Sequence, residues 1–195
     1  PFKKKKARGE EKWYEKISFT YSGSLSNSIT AKENELFEKS LISDWRNGIK
    51  HSIPVSATFT AFKYINITPS FNYTERWYSY KVNRAWDEER MREVRDTTYG
   101  FNRVYNYNLS VSANTKLYGF YKPLIGKKVQ MIRHVLTPSV SYTLTPDFGD
   151  SRYGYYKSYT YTDAPGDVRT VDYSPYAGAL YGVPGKGKSG SISLN

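Results

Sequence analysis

The chain has 195 residues and carries 29 Lys and Arg against 18 Asp and Glu, a net charge of +11. Its 20 Tyr, 9 Phe and 4 Trp are diluted by 21 Ser, 15 Thr and 11 Asn, an aromatic content that argues against disorder. No stretch approaches the ~18–20 apolar residues of a membrane-spanning helix, and the absence of Cys removes disulfides, thiolate metal sites and cysteine nucleophiles.

The chain opens on Pro1-Phe2 and four lysines and closes inside an alternating run, Ser189 to Asn195, so both ends read as those of an internal piece of a longer protein. Between them the polarity repeats every second residue, as it does on a strand whose two faces see different surroundings. In the strand expected over residues 16–30 the odd positions include Ile17, Phe19, Tyr21, Leu25 and Ile29, and the even ones from Ser18 to Thr30 are Ser or Thr throughout. Over 49–62, Ile53, Val55 and Phe59 alternate with Ser52, Ser56, Thr58 and Thr60. Residues 62–64 read as a tight turn, and 64–78 repeats the split with Ile65, Ile67 and Phe71 against Asn66, Thr68 and Ser70. A longer strand over 98–118 sets Tyr99, Phe101, Tyr107, Leu109 and Val111 against Asn106, Asn108, Ser110 and Ser112. Strand 129–146 carries Val140, Tyr142 and Leu144, and a last one occupies 188–195. The fold class expected is all-β, an antiparallel up-and-down meander. Its connections alternate in length: 31–48, 79–97 and 147–187 are long, 62–64 and 119–128 short. Transmembrane barrels have that asymmetry, with longer loops outside.

A soluble sheet also alternates, so charge placement carries the distinction. Residues 17–30, 52–62, 65–74 and 135–145 contain no Lys, Arg, Asp or Glu, and 98–115 only Arg103. A soluble sheet would place such groups on its wet face; here that face is Ser, Thr and Asn. The expectation is part of a transmembrane β-barrel, with about six strands present. Its lipid-facing residues would be Ile17, Phe19, Tyr21, Leu25, Ile29, Ile53, Val55, Phe59, Ile65, Ile67, Phe71, Tyr107, Leu109, Val111, Val140, Tyr142 and Leu144. Trp13, Tyr64, Trp77, Tyr78, Tyr118 and Phe120, near the run ends, would form aromatic girdles. The long loops are each neutral, so the net positive charge gathers at 3–16, Lys63 and 116–134 on the short-turn side. There it reads as attraction to lipid phosphates or as solvated chain ends. No nucleic-acid recognition motif accompanies it.

Chemistry-bearing residues are sparse. His51 and His134 lie on different strands and outside any metal or nucleophile motif, although a barrel hydrolase using one of them stays open. Asp147, Asp150, Asp163, Asp167 and Asp172 lack the regular spacing of a calcium loop. Arg84 to Asp96 reads as a short helix or a solvated face. Pro54, Pro69 and Pro138 fall inside strands, where each should mark a bulge or an unpaired edge. No cofactor, metal or catalytic group is expected.

The stretches NGIKHSIPVSATFTAFKYINITPSFNYTERWY (47–78), YGFNRVYNYNLSVSANTKLYGFYKP (99–123), MIRHVLTPSVSYTLTPDFG (131–149) and YSPYAGALYGVPGKGKSGSISLN (173–195) resemble the barrel of LptD-type lipopolysaccharide assembly proteins, in their Bacteroidota branch. RHVLTPSVSY with its trailing PDFG is the most specific part. The resemblance implies a transport protein of the Gram-negative outer membrane, not an enzyme. Its partners would be lipopolysaccharide and outer-membrane lipids, a lipoprotein plug and periplasmic bridge proteins, with no nucleic acid. It also implies sideways release of lipopolysaccharide through a seam between the first and last strands. The family's periplasmic jellyroll and its disulfides have no counterpart in this sequence. A generic porin or nutrient transporter, an outer-membrane hydrolase and a soluble binding sandwich are the rival readings.

Overall fold

The computed structural model describes residues 12–29, 45–121, 131–163 and 166–195. Among these the chain is all-β and antiparallel, without α-helix. After a 3-10 turn, Trp13–Lys16, come β1 (Ile17–Phe19), β2 (Ser22–Ser28), β3 (Arg46–Ala57), β4 (Phe59–Ala61), β5 (Ile65–Asp87) and β6 (Arg92–Thr115). They are followed by β7 (Leu117–Tyr121), β8 (Ile132–Leu136), β9 (Ser139–Thr145), β10 (Lys157–Thr162), β11 (Val168–Tyr173) and β12 (Ser189–Leu194). One eight-stranded sheet runs β1-β3-β5-β6-β9-β12, with β2 also on β3 and β4 also on β5; β7–β8 and β10–β11 are separate hairpins. The main sheet is an open meander, its neighbours following one another along the chain.

The three in-strand prolines sit where the ladder is interrupted. Pro54 accepts from the Thr20 N–H at 3.2 Å but has no N–H to return, and there β1 stops and β2 begins. Pro69 cannot donate toward β3, which gives way to β4 at Thr58. Pro138 separates β8 from β9 and accepts from the Thr115 N–H where β6 gives way to β7. A missing donor costs one rung of the ladder, and the chain resumes pairing beyond it.

Two expected loops are corrected. Residues 79–97 are not a loop, nor is Arg84 to Asp96 a helix: β5 and β6 stay paired to Asp87↔Arg92. At ~3.4 Å per residue this hairpin is about 78 Å long. Its outer half is charged yet stable as strand because polar groups meet across it, Arg84 with Glu93 at 3.6 Å and Asn83 with Thr98 at 3.0 Å. At the tip Asp87 accepts from the Glu89 and Arg90 N–H groups, both at 3.1 Å, closing the turn. The expected loop 147–187 is likewise structured, with a 3-10 turn at Ser151–Tyr153, the β10–β11 hairpin and a segment folded back on the sheet. Of the expected loop 31–48, residues 46–48 belong to β3, while 31–44 lie outside the described residues. The tail of strand 16–30, the start of strand 129–146, the Lys run at 3–6 and most of the connection 119–128 fall outside them too.

A bulge in the long hairpin changes the face of every residue beyond it. Tyr78 pairs Asn102, but Tyr80 pairs Tyr99, so Gly100 and Phe101 together oppose Ser79. Gly100 takes φ +150°, open to glycine. Tyr99 therefore lies on the side of Tyr80, opposite to the side of Phe101, which corrects their assignment to one face.

The buried side chains, Tyr78, Val104, Phe148, Tyr155, Tyr173 and Tyr176, do not lie between two stacked sheets. They lie where the 146–187 segment packs onto the middle of β5 and β6.

Candidate functional site

The sheet is a wall with two unlike faces. On one, Phe19, Leu25, Phe71, Leu109, Val111, Val140, Tyr142, Ile192 and Leu194 are 36–76 % exposed. Tyr21 and Ile29 are exposed beside them. Ile17, Ile53, Val55, Phe59, Ile65, Ile67, Tyr107 and Leu144 are half-buried. They shield one another laterally through pairs such as Val55↔Phe71, Phe71↔Leu109 and Leu109↔Leu144. Phe148 packs edge-on against Tyr107 at 5.7 Å. A shallow apolar hollow of about 280 Å³ lies among Trp13, Val55, Phe59, Phe71, Leu109 and Val111.

A polar belt crosses this face ten positions up β5 from Ile65. Glu75 accepts from Arg103 Nε at 2.8 Å, from Trp77 Nε1 at 2.6 Å and from the Tyr73 hydroxyl, while Arg103 Nη2 donates to Tyr73 at 2.9 Å. His51 continues the belt, its ring 4.2 Å from that of Trp77 and its Nδ1 bonded to the Tyr21 hydroxyl at 2.8 Å. Its Nε2 is buried and bonds no other group among the described residues. His134 stands in a different sheet, opposite Gly119. The two histidines are not brought together.

The other face is hydroxyl and amide. Ser70 meets Ser110 at 2.6 Å, Asn72 donates to Asn108 at 2.9 Å, and Asn66 donates to Asn114 at 3.4 Å. Toward the bulge it is crossed by a strap, residues 174–183. The Tyr181 hydroxyl reaches Ser26 at 2.8 Å and Ser24 at 3.1 Å. Arg76 Nε donates to the Tyr181 carbonyl at 3.1 Å, and the Tyr78 hydroxyl to the Gly182 carbonyl at 2.7 Å. Tyr181 lies close because Gly48 has no side chain: a Cβ there would stand 3.1 Å from the ring. The strap is anchored at its root by Asp147, which accepts from the Gly149 and Gly187 N–H groups, both at 2.7 Å. Those N–H groups, Gly187 first, hold the Asp147 carboxyl below its ordinary pKa.

Of the expected aromatic girdle, Trp13 and Tyr64 are exposed below the sheet, and Tyr118 and Phe120 on β7. Trp77 is half-buried in the belt. Tyr78 is corrected. It is 3 % exposed, on the hydroxyl-bearing face, stacked on Tyr176 at 5.8 Å. Its even position points it under the strap. The loop aspartates serve local structure: Asp150 caps the Ser151–Tyr153 turn, Asp163 pairs Arg169 at 2.9 Å, and Asp172 pairs Lys186 at 2.8 Å. Among the described residues no three His, Cys, Asp or Glu are grouped to hold a metal.

Sequence reasoning missed the strap. Its aromatic anchors, Tyr176 and Tyr181, gave no periodic signal. Comparison with curated proteins and with solved structures returns no match. A family model described as LptD protein matches residues 1–195.

Proposed function

The chain belongs to the LptD protein family, which acts in lipopolysaccharide transport and assembly, and from that we propose that it forms part of the barrel wall of an outer-membrane translocon inserting lipopolysaccharide into the outer leaflet. The observation that carries the proposal is the pairing of a bare apolar face with a hydroxyl and amide face across a single layer of strands. In water such a face would be covered; in a bilayer it is solvated by acyl chains. From Ile65 to the Glu75 belt the apolar span is ten residues, about 26 Å along the bilayer normal at a strand tilt near 40°. That equals the height of the outward apolar band of an outer-membrane barrel. The hydroxyl-bearing face then lines a wet lumen, and the outer halves of β5 and β6 project beyond the membrane. In this reading a lipoprotein plug and periplasmic bridge proteins act with the full-length chain. Transport by such a wall needs no bond-making group.

Depletion of the gene in cells tests the proposal. Lipopolysaccharide should accumulate inside the outer membrane, with its surface display lost. Unchanged surface lipopolysaccharide together with loss of uptake of a small solute would replace this reading with that of a nutrient transporter.

A further inference from the structure

On the lumen-side face the ladder places two cations directly opposite each other, Lys50 on β3 and Arg76 on β5. Like charges in register destabilise a sheet. Neither cation has a carboxylate partner among the described residues. Arg76 spends Nε on the Tyr181 carbonyl and Nη1 on Asn106 at 2.6 Å. Lys50 Nζ has, among the described residues, the Tyr181 ring at 6.0 Å. Elsewhere in the upper sheet Arg84, Arg95 and Arg103 carry ion pairs. Beside Lys50 opens a hollow of about 250 Å³, lined by Ser22, Gly23, Ser24, Lys50 and Ser52. That is room for about eight waters. Its lining presents one ammonium and three hydroxyls, with Arg76 adding positive potential from the next strand. The strap reaches its edge through Tyr181, whose hydroxyl bonds Ser24 and Ser26.

We propose that the hollow of Ser22, Ser24, Lys50 and Ser52, backed by Arg76, is a lumenal binding site for the phosphate of a phosphorylated sugar. An ammonium makes charge-assisted hydrogen bonds to phosphate oxygens, and the serines, each both donor and acceptor, serve the remaining oxygens and the sugar hydroxyls. The ligand resolves the repulsion between the two cations. The site rests on the translocon reading for its physiological cargo, the saccharide phosphate of the lipid, but its geometry stands independently of that cargo.

The test is equilibrium dialysis of glucose 1-phosphate and of glucose against the full-length protein in nanodiscs. Glucose 1-phosphate should bind saturably and at least about tenfold tighter than glucose, a preference that shrinks in high salt. Lys50→Gln should weaken it about tenfold, whereas Lys50→Arg, and Lys81→Gln as a remote charge control, should retain it. Equal binding of the two sugars, no saturable binding, or an equal loss in Lys81→Gln overturns the site. Surface display of lipopolysaccharide in the Lys50→Gln strain, measured separately, keeps the two ideas apart. Failure of the dialysis result with gene depletion still stranding lipopolysaccharide sinks the site alone.

Discussion

Glu93 ties the projecting end of the long hairpin to the segment that folds over it. Its carboxylate accepts from Arg95 Nε at 2.7 Å on its own strand and from the Tyr159 hydroxyl at 3.0 Å on β10. Those bonds, Arg95 first, hold its pKa below the ordinary 4.5. A lowered folded pKa adds stability that is complete above the ordinary value and is lost as pH falls through the lowered one. The β10–β11 hairpin should therefore stay docked at neutral pH and loosen only in acid below about 4.5. Glu93→Gln should remove that acid step. Trp86, stacked on Tyr161 at 4.7 Å, is the reporter, through its fluorescence in a variant whose other Trp are Phe. Single positions were legible from parity alone wherever the ladder was regular, as at Leu109 and Ser110. Parity misplaced Tyr99 because one extra residue in β6 reversed it, and it misjudged Tyr78 because a buried and a rim tyrosine leave the same trace in a sequence.

The turn joining β4 to β5 shows an element formed against local preference. Phe62 and Lys63 both take positive φ, +49° and +67°, and the Tyr64 N–H closes on the Ala61 carbonyl at 3.2 Å, a type I′ geometry. Asn-Gly is the usual occupant, and a non-glycine residue held there costs about 1 kcal/mol or more. Lys63→Gly should raise the stability of the protein by about 1 kcal/mol, read as a higher urea midpoint with an unchanged slope. The existence of this turn was evident from two alternating runs separated by three residues. The extent of β5 and β6 was not. Beyond the bulge the strands are met by the β10–β11 hairpin through polar and aromatic side chains, Tyr159 on Glu93 and Tyr161 on Trp86, so apolar alternation has no cause, and RAWDEERMREVRD resembles any solvated charged segment. Cross-strand pairs such as Arg84 with Glu93 hold it, and pairing partners are not written in the local pattern.

For the molecule as a whole, the two faces make opposite optical predictions. Leu109→Trp should be quenched strongly by bromine-labelled acyl chains in reconstituted vesicles and Ser110→Trp only weakly. Equal quenching would remove the membrane wall. This division was the most legible property of the chain, since β3, β5 and β6 below the bulge, β9 and β12 all repeat it. The strap was the least legible, since it unites residues far apart: Tyr181 meets Ser24 across 157 positions. That separation also dictates an order of events. Contacts between neighbouring strands close short loops, whereas the Tyr181 contacts must wait until β2, β3 and β5 stand side by side, because only then do Ser24, Ser26 and Arg76 share one surface. Seating of this tyrosine is thus a late step of assembly, and a polypeptide whose ribbons paired out of register would leave the ring without a berth.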